Sequence, residues 1–317
     1  MSRGERLVRF VVIGEGRPAK ALLDVLVAAP GASVDALVLK SPESNPLAAD
    51  ARGRNIPVVD VARFVQEVPQ TDGGWLINAN STTIIPANVL NAFEGRSLNF
   101  HPGLLPEYAG LHAHQWAIRN GEREFGVTVH RMEQRIDTGA IVGQLRFPIR
   151  PEDTGLSLFS RCLAVGAELF PRIVAQIVRG DPLDNVPQNL MLRKLYRHRD
   201  ALDGRIDWKA SAQSVVDFIR AGNYEPLSSP TYVARLDGIG DVDVEVLRAR
   251  VEPASGGEPG AIVGLCDEGP LVVCGGGAAI RIVRARRGRQ SMSRAHWDEY
   301  LSHVRDRRLL GRNDAAS

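Results

Sequence analysis

The sequence predicts an α/β protein: a Rossmann-like, mostly parallel sheet with helices on both faces, plus a small C-terminal β-barrel domain. Three observations predict it. Short apolar runs alternate with helical patterns through the first half of the chain. Composition turns polar near Gly180-Asp-Pro182, and beyond Gly204 short strand patterns recur between Gly-rich turns. The chain, at 317 residues, also exceeds one average domain. The expected division is 1–180 for the α/β domain, 181–203 for a linker and 204–317 for the C-terminal domain.

The elements follow in order. Leu7 to Ile13 is a short apolar run closed by Gly14-Glu-Gly16, and an Ala/Leu-rich helical pattern runs from Pro18 to Ala28. Val34 to Leu39 predicts a second strand, Leu47 to Arg54 a short helix, Ile56 to Val59 a third strand and Trp75 to Asn78 a fourth. The glycine turn lacks a full Gly-x-Gly-x-x-Gly series, because position 19 is Ala, so a nicotinamide cofactor fits poorly. Ile84 to Leu90 reads as a helix entered through Pro86, followed by a strand around Asn99, a helix over Leu111 to Arg119 and a strand over Gly126 to Arg131. Gly143 to Ile149 is expected to pair antiparallel with that strand. Asp153-Thr154 is expected to cap one helix over Leu156 to Val178.

A second unit begins around Gly204 to Trp208, with a helix over Ser211 to Ala221. Asp241 to Ala249, Gly260 to Leu265, Leu271 to Val273 and Ala278 to Arg284 read as strands of a barrel or sandwich of roughly 80 to 100 residues. Ser291 to Leu309 reads as a charged helix, and the final residues as a frayed end.

Hydrophobic residues make up 44% and charged residues 24%, so a packed soluble core is expected rather than disorder. No apolar run reaches bilayer length and the N-terminus reads as no signal peptide, which places the protein in the cytoplasm. Three cysteines are too few and too irregular for a disulfide frame or a zinc site. A net charge of +2 is far from that of a dedicated nucleic-acid binder, although Arg193 to Arg199 and Arg284 to Arg289 are local basic clusters.

Chemistry concentrates in Ser97-Leu-Asn-Phe-His-Pro-Gly-Leu-Leu-Pro106 and Ile136-Asp-Thr-Gly-Ala-Ile141. Asn99 and His101 are two apart on a strand, so their side chains project to one side. An amide that can hold an oxyanion, beside an imidazole that can move a proton, suits acyl transfer to an amine, with Asp137 to orient and charge the ring. On spacing alone the bland reading is the better one: Asn, Pro-Gly and Asp-Thr-Gly are ordinary turn residues and a lone His is more often a satisfied polar group. His112, His114 and His130 do not make a metal set, since the first two point apart and nothing nearby completes the ligands. His114 and Trp116 either line the acceptor pocket or pack, and packing is the better reading.

Taken together and in order, Asn99-Phe-His101, Leu104-Leu-Pro-Glu-Tyr-Ala-Gly110, Gly126-Val-Thr-Val-His-Arg-Met132 and Asp137-Thr-Gly139 resemble the formyltetrahydrofolate-dependent formyltransferase superfamily. The resemblance implies an enzyme that uses 10-formyltetrahydrofolate as co-substrate, with Asn99, His101 and Asp137 catalytic. It implies a pterin lying against backbone groups of the segment that holds Ser81, Thr82, Ile84 and Ile85 and of the loop that holds Ile136, Thr138 and Gly139, with Leu104 also in the cofactor site. It also implies that the C-terminal barrel is oligonucleotide-fold (OB)-like, as in the members acting on tRNA and aminoarabinose. His101 can then serve either as the base that takes the amine proton or as a donor to the oxyanion; sequence leaves both open.

The acceptor is read from two stretches. Methionyl-tRNA formyltransferase carries an arginine-rich insertion after its second strand, where this chain has only Lys40 to Pro46, which argues against RNA. Glu107 to Ile118 and Phe218 to Leu227 resemble formyltransferases of nonribosomal-peptide and hydroxamate-siderophore pathways. The expected acceptor is therefore a small amino-acid-like, hydroxyornithine-like or carrier-protein-bound amine in specialised metabolism. A nucleotide-linked amino sugar and methionyl-tRNA are the alternatives, with hydrolysis of formyltetrahydrofolate and plain RNA binding behind them.

Overall fold

A computed structural model of the protein describes residues 7–67, 73–198, 203–236, 243–253, 256–304 and 308–309. The expected start of a strand at Asp241 and the frayed end beyond Leu309 lie outside these residues. Two compact units interleave along the chain: Met1–Gly110, Glu124–Phe147 and Phe159–Leu195 form one, and Leu111–Arg123, Pro148–Leu158 and Tyr196–Ser317 the other.

The first unit is built on a seven-stranded sheet of β1 (Val8–Gly14), β2 (Ala32–Leu39), β3 (Val58–Asp60), β4 (Trp75–Ala79), β5 (Ser97–His101), β7 (Glu124–Arg131) and β8 (Ile141–Pro148), in the order β3-β2-β1-β4-β5-β7-β8. The first five are parallel and β7 runs antiparallel to β5. The helices between them are α1 (Gly16–Ala28), α2 (Pro46–Gly53), α3 (Val61–Gln66) and α4 (Ala87–Ala92). Val11, Ile13, Val38 and Leu76 pack with Phe64 of α3 and Val89 and Leu90 of α4, while the alternating Phe10, Val12, Leu37 and Ile77 are buried as well. A sheet buried on both faces explains why these strands read as unbroken apolar runs.

Two short strands, β6 (Ala109–Gly110) and β9 (Leu195–Tyr196), pair with each other, and α5 (Ala113–Arg119) follows the first of them. The single helix expected over Leu156 to Val178 is two helices, α6 (Gly155–Ala167) and α7 (Leu169–Arg179). Pro171 explains the break: it has no N–H to give to Ala167, and its ring crowds that carbonyl. The cap expected at the start is present, with Thr154 Oγ1 accepting from Ser157 N and Thr154 N donating to Ser157 Oγ. Gly166 lies against Phe100, where a Cβ would come within 2.1 Å of the ring. Phe100 also meets Phe170 edge-on at 5.9 Å, a contact worth about 0.5–1.5 kcal/mol beyond its buried area.

The second unit is an antiparallel sheet of β10 (Ala234–Leu236), β11 (Val244–Glu252), β12 (Ile262–Cys266), β13 (Gly269–Val273), β14 (Ala279–Arg287) and β15 (Gln290–Ser291), in the order β10-β11-β14-β13-β12 with β15 on β14. Trp208, Val215 and Ile219 of the α8 (Ala212–Gly222) region pack with Val246, Ile280, Ile282 and Trp297 in its core. The expected long terminal helix is shorter: α9 spans Arg294–Ser302, started by a capping box in which Ser293 and His296 exchange hydrogen bonds. Among the described residues no helix is long and apolar enough to cross a membrane.

Candidate active site

The register of three neighbouring strands builds the site. Asn78 of β4 pairs with Asn99 of β5, and Asn99 pairs with His130 of β7, so the three side chains stand in a row on one face of the sheet. Asn99 Nδ2 lies 3.0 Å from His130 Nε2. Asp137 closes the group, with its Oδ1 3.4 Å from His130 Nε2 and its Oδ2 3.7 Å from His101 Nδ1. The expected Asn99, His101 and Asp137 thus come together, and His130 stands among them. Sequence reasoning tested His130 only as a metal ligand. Its signal was its place on an alternating strand next to β5, which needs the register to be read.

Hydrogen bonding fixes much of the proton placement. His101 Nε2 faces the Tyr108 carbonyl at 2.6 Å, and a carbonyl only accepts, so Nε2 carries hydrogen and Nδ1 is the nitrogen free to gain or lose a proton. His130 Nδ1 likewise donates to Arg131 O at 2.7 Å. When His130 is neutral its Nε2 accepts from Asn99, and when charged it donates towards Asp137. The Gly110 N–H donates to Asp137 Oδ2 at 2.8 Å. Burial pushes the Asp137 carboxyl up, but the neighbouring His101, the hydrogen bond and charge of His130 and the Gly110 N–H outweigh it, holding the group well below the usual carboxylate range.

Two glycines make these approaches possible. A Cβ on Gly103 would sit 2.5 Å from His101 Nε2, and one on Gly139 would sit 2.1 Å from Arg131 O. Pro102-Gly103 and Thr138-Gly139 are therefore close-packing positions as well as turn residues.

The residues expected to hold a pterin divide by burial. Ile85 and Leu104 are buried, so their side chains belong to the core. Ser81 Oγ donates to Thr83 Oγ1 and accepts from Thr83 N, Asn78 holds the Ser81 backbone, and Thr138 Oγ1 is bound within its own loop to Glu133 and Arg135, so both side chains serve local structure. Lys40 Nζ reaches Thr82 Oγ1 at 3.4 Å. Ile84 and Ile136 are apolar yet 71% and 45% exposed. They lie on the two loops that leave β4 and β7, the strands on either side of Asn99.

His114 and Gln115 of α5 are buried within the second unit. His114 hydrogen-bonds the Tyr224 hydroxyl, and Gln115 donates to Ala221 O at 3.0 Å and accepts from Thr231 Oγ1 at 2.9 Å. Trp116 stacks on Tyr196 at 4.7 Å, with the Arg119 guanidinium over its ring. Both residues read as packing do pack. Within the basic cluster Arg284 to Arg289, Arg284 pairs with Glu225, and Arg286 with Glu225 and Glu245.

Residues 10–174 match the formyl transferase family, and residues 200–300 match the formyl transferase C-terminal domain. The chain belongs to the formyl transferase family. Family membership agrees with the four motifs and with the two-unit fold. The chain is 31% identical over 238 residues to a GDP-perosamine N-formyltransferase of Brucella melitensis, covering 73% of this chain and 90% of the relative. It is 35% identical over 202 residues to a methionyl-tRNA formyltransferase of a Synechococcus strain, and there it spans only 61% of the relative's length. Among solved structures it resembles an N-formyltransferase of Helicobacter canadensis in complex with folinic acid and dTDP-3-aminofucose, with a TM-score of 0.70 over 87% of this chain and 99% of that one. It also resembles the sugar 3-N-formyltransferase WlaRD, with a TM-score of 0.72 over 90% of this chain and 99% of that one. Identity is 19% in both cases, so these two likenesses speak for the fold.

Proposed function

We propose that the protein transfers a formyl group from 10-formyltetrahydrofolate to the amine of a small acceptor molecule. The observation that carries this reading is the convergence of Asn99, His101, His130 and Asp137 from three separate stretches of chain onto one point of the sheet. The folate supplies an activated formyl group on nitrogen. Asn99 has two amide hydrogens; His130 takes one, and the other is available to the formyl oxygen as it gains charge, a contribution of about 2.7–4 kcal/mol in comparable sites. His101 accepts the amine proton at Nδ1, because Nε2 is committed to Tyr108 O, and gives it to the folate nitrogen as the formyl C–N bond breaks and tetrahydrofolate leaves. Asp137, ionised and nine-tenths buried, stabilises the imidazolium so formed. The gap of 3.7 Å between Asp137 and His101 is longer than a hydrogen bond, so the stabilisation is electrostatic.

The acceptor is a small amino-acid-like, hydroxyornithine-like or carrier-bound amine in this reading. A second reading, a nucleotide-linked amino sugar, is favoured by the match along 90% of the GDP-perosamine N-formyltransferase. The ion-paired Arg284 and Arg286 weigh against tRNA, since cations already matched by carboxylates contribute little to phosphate binding. A panel of amino acids, hydroxyornithine, carrier-bound aminoacyl groups, nucleotide-linked amino sugars and methionyl-tRNA, assayed with 10-formyltetrahydrofolate, tests these together. Amine-dependent release of tetrahydrofolate with a small amine supports the proposal. Release without any amine, or with tRNA alone, refutes it.

A further inference from the structure

The segment after α7 is more than a tether. Val186 makes a two-way backbone bridge with Ile141, at the start of β8. Gln188 Nε2 then donates to two carbonyls of the Asp137 loop, Gly139 O at 2.6 Å and Asp137 O at 3.2 Å. Asn189 starts a single 3-10 turn over Leu190–Leu192, after which Arg193 Nη2 donates to Ile136 O at 2.7 Å. Lys194 O accepts from Ala109 N, next to the Gly110 N–H that holds the Asp137 carboxylate. Val186, Gln188 and Arg193 thus grip the loop between β7 and β8 and its exit into β8, while Lys194 meets β6.

The loop needs such a grip. Asp137 has φ +54°, in the left-handed region that a side chain with a Cβ occupies at a cost and keeps only when its surroundings fix it. From that backbone its carboxylate reaches both His101 and His130. Gln188 Oε1 is buried without a hydrogen-bond partner among the described residues, so its polar work there is confined to the two donors.

We infer that Gln188 is a positioning residue: its amide holds the Asp137 loop in the left-handed conformation that aims the carboxylate at the two imidazoles. The inference rests on the proposed role of Asp137 in formyl transfer. Gln188 touches neither acceptor nor folate in this scheme, and it acts on turnover through Asp137 alone.

A double-mutant cycle in the full chain tests it, with Gln188→Met keeping the length of the side chain and Gln188→Ala as a second variant. Kinetics use 10-formyltetrahydrofolate and the best amine of the panel; imidazole NMR of 15N-histidine-labelled protein gives a readout that needs no acceptor. Both variants are expected to lower kcat about tenfold or more, and to add no further loss of kcat in an Asp137→Asn background. They should also move the His101 and His130 ring resonances in the direction that Asp137→Asn moves them. Wild-type kcat and unmoved resonances, or a loss that multiplies fully with Asp137→Asn, overturn the inference. If Asp137→Asn itself keeps full kcat, the proposed catalytic role of Asp137 fails instead, and the resonances alone decide whether Gln188 positions the loop.

Discussion

Asn99 and His130 oppose each other across antiparallel β5 and β7, with Nδ2 and Nε2 3.0 Å apart. A cross-strand pair of this kind fixes the direction of the amide before any ligand arrives, which is what oxyanion stabilisation requires. Replacing His130 by Ala frees the amide to rotate. The expected result is a fall in kcat of about ten- to hundredfold, as for other residues that orient a catalytic group. Steady-state kinetics beside a thermal melt checks it, since a change in melting temperature alone would point to packing.

Gly103→Ala and Gly139→Ala place a Cβ 2.5 Å from His101 Nε2 and 2.1 Å from Arg131 O. Neither contact can persist, so the His101 turn or the Asp137 loop must shift. Both variants are expected to lose most activity, because each new Cβ also meets backbone, Tyr108 O at 2.8 Å in one case and Arg131 O in the other. Activity per folded molecule, with folding followed by circular dichroism, gives the comparison.

Asp137 also ties stability to pH. Its folded pKa lies below the unfolded value, so its contribution is complete above the ordinary carboxylate range and is lost as pH falls through the folded value. The difference in unfolding free energy between wild type and Asp137→Asn should therefore shrink as pH drops below about 4. Urea melts at a series of pH values measure it; a difference that grows on acidification contradicts the assignment.

The cysteines should differ in reactivity. Cys162 and Cys274 are fully buried, and burial pushes the Cys274 thiol up to about 12. Cys266 is partly exposed, with Arg281 Nη1 3.0 Å from its sulfur. Iodoacetamide at neutral pH is expected to label Cys266 alone in the folded protein and all three thiols in urea, as read by mass spectrometry.

Arg284 and Arg286 should matter little to RNA. Arg284→Gln and Arg286→Gln remove groups already paired to Glu225 and Glu245. Filter binding of methionyl-tRNA is expected to be weak for wild type and nearly unchanged in both variants, and a steep loss of tight, salt-sensitive binding would restore the tRNA reading.

The parallel half of the fold was legible because each strand is a local apolar run and each connecting helix a local pattern. Asn99, His101 and Asp137 were legible as members of short motifs. His130 and Asn78 were not, because their roles depend on the register between strands, which no single stretch encodes. Gln188 was hidden for a related reason: an amide in a polar linker carries no sign of which carbonyls it will meet. The break between α6 and α7 was written in Pro171, but the apolar spacing continues through it and masked the signal. The membership of α5 in the second unit was invisible too, since it rests on Gln115 meeting Ala221 and Thr231 more than a hundred positions later.

That last pairing limits modularity. A chain truncated after position 180 would keep α5 and lose the acceptor and donor that satisfy Gln115, along with the tyrosine bonded to His114. Without those partners both side chains turn to water, and α5 loses the burial that holds it. Exchange of the second unit between relatives therefore calls for five junctions, since that unit is drawn from Leu111–Arg123, Pro148–Leu158 and Tyr196–Ser317, and a single-breakpoint chimera starts with a misfit helix.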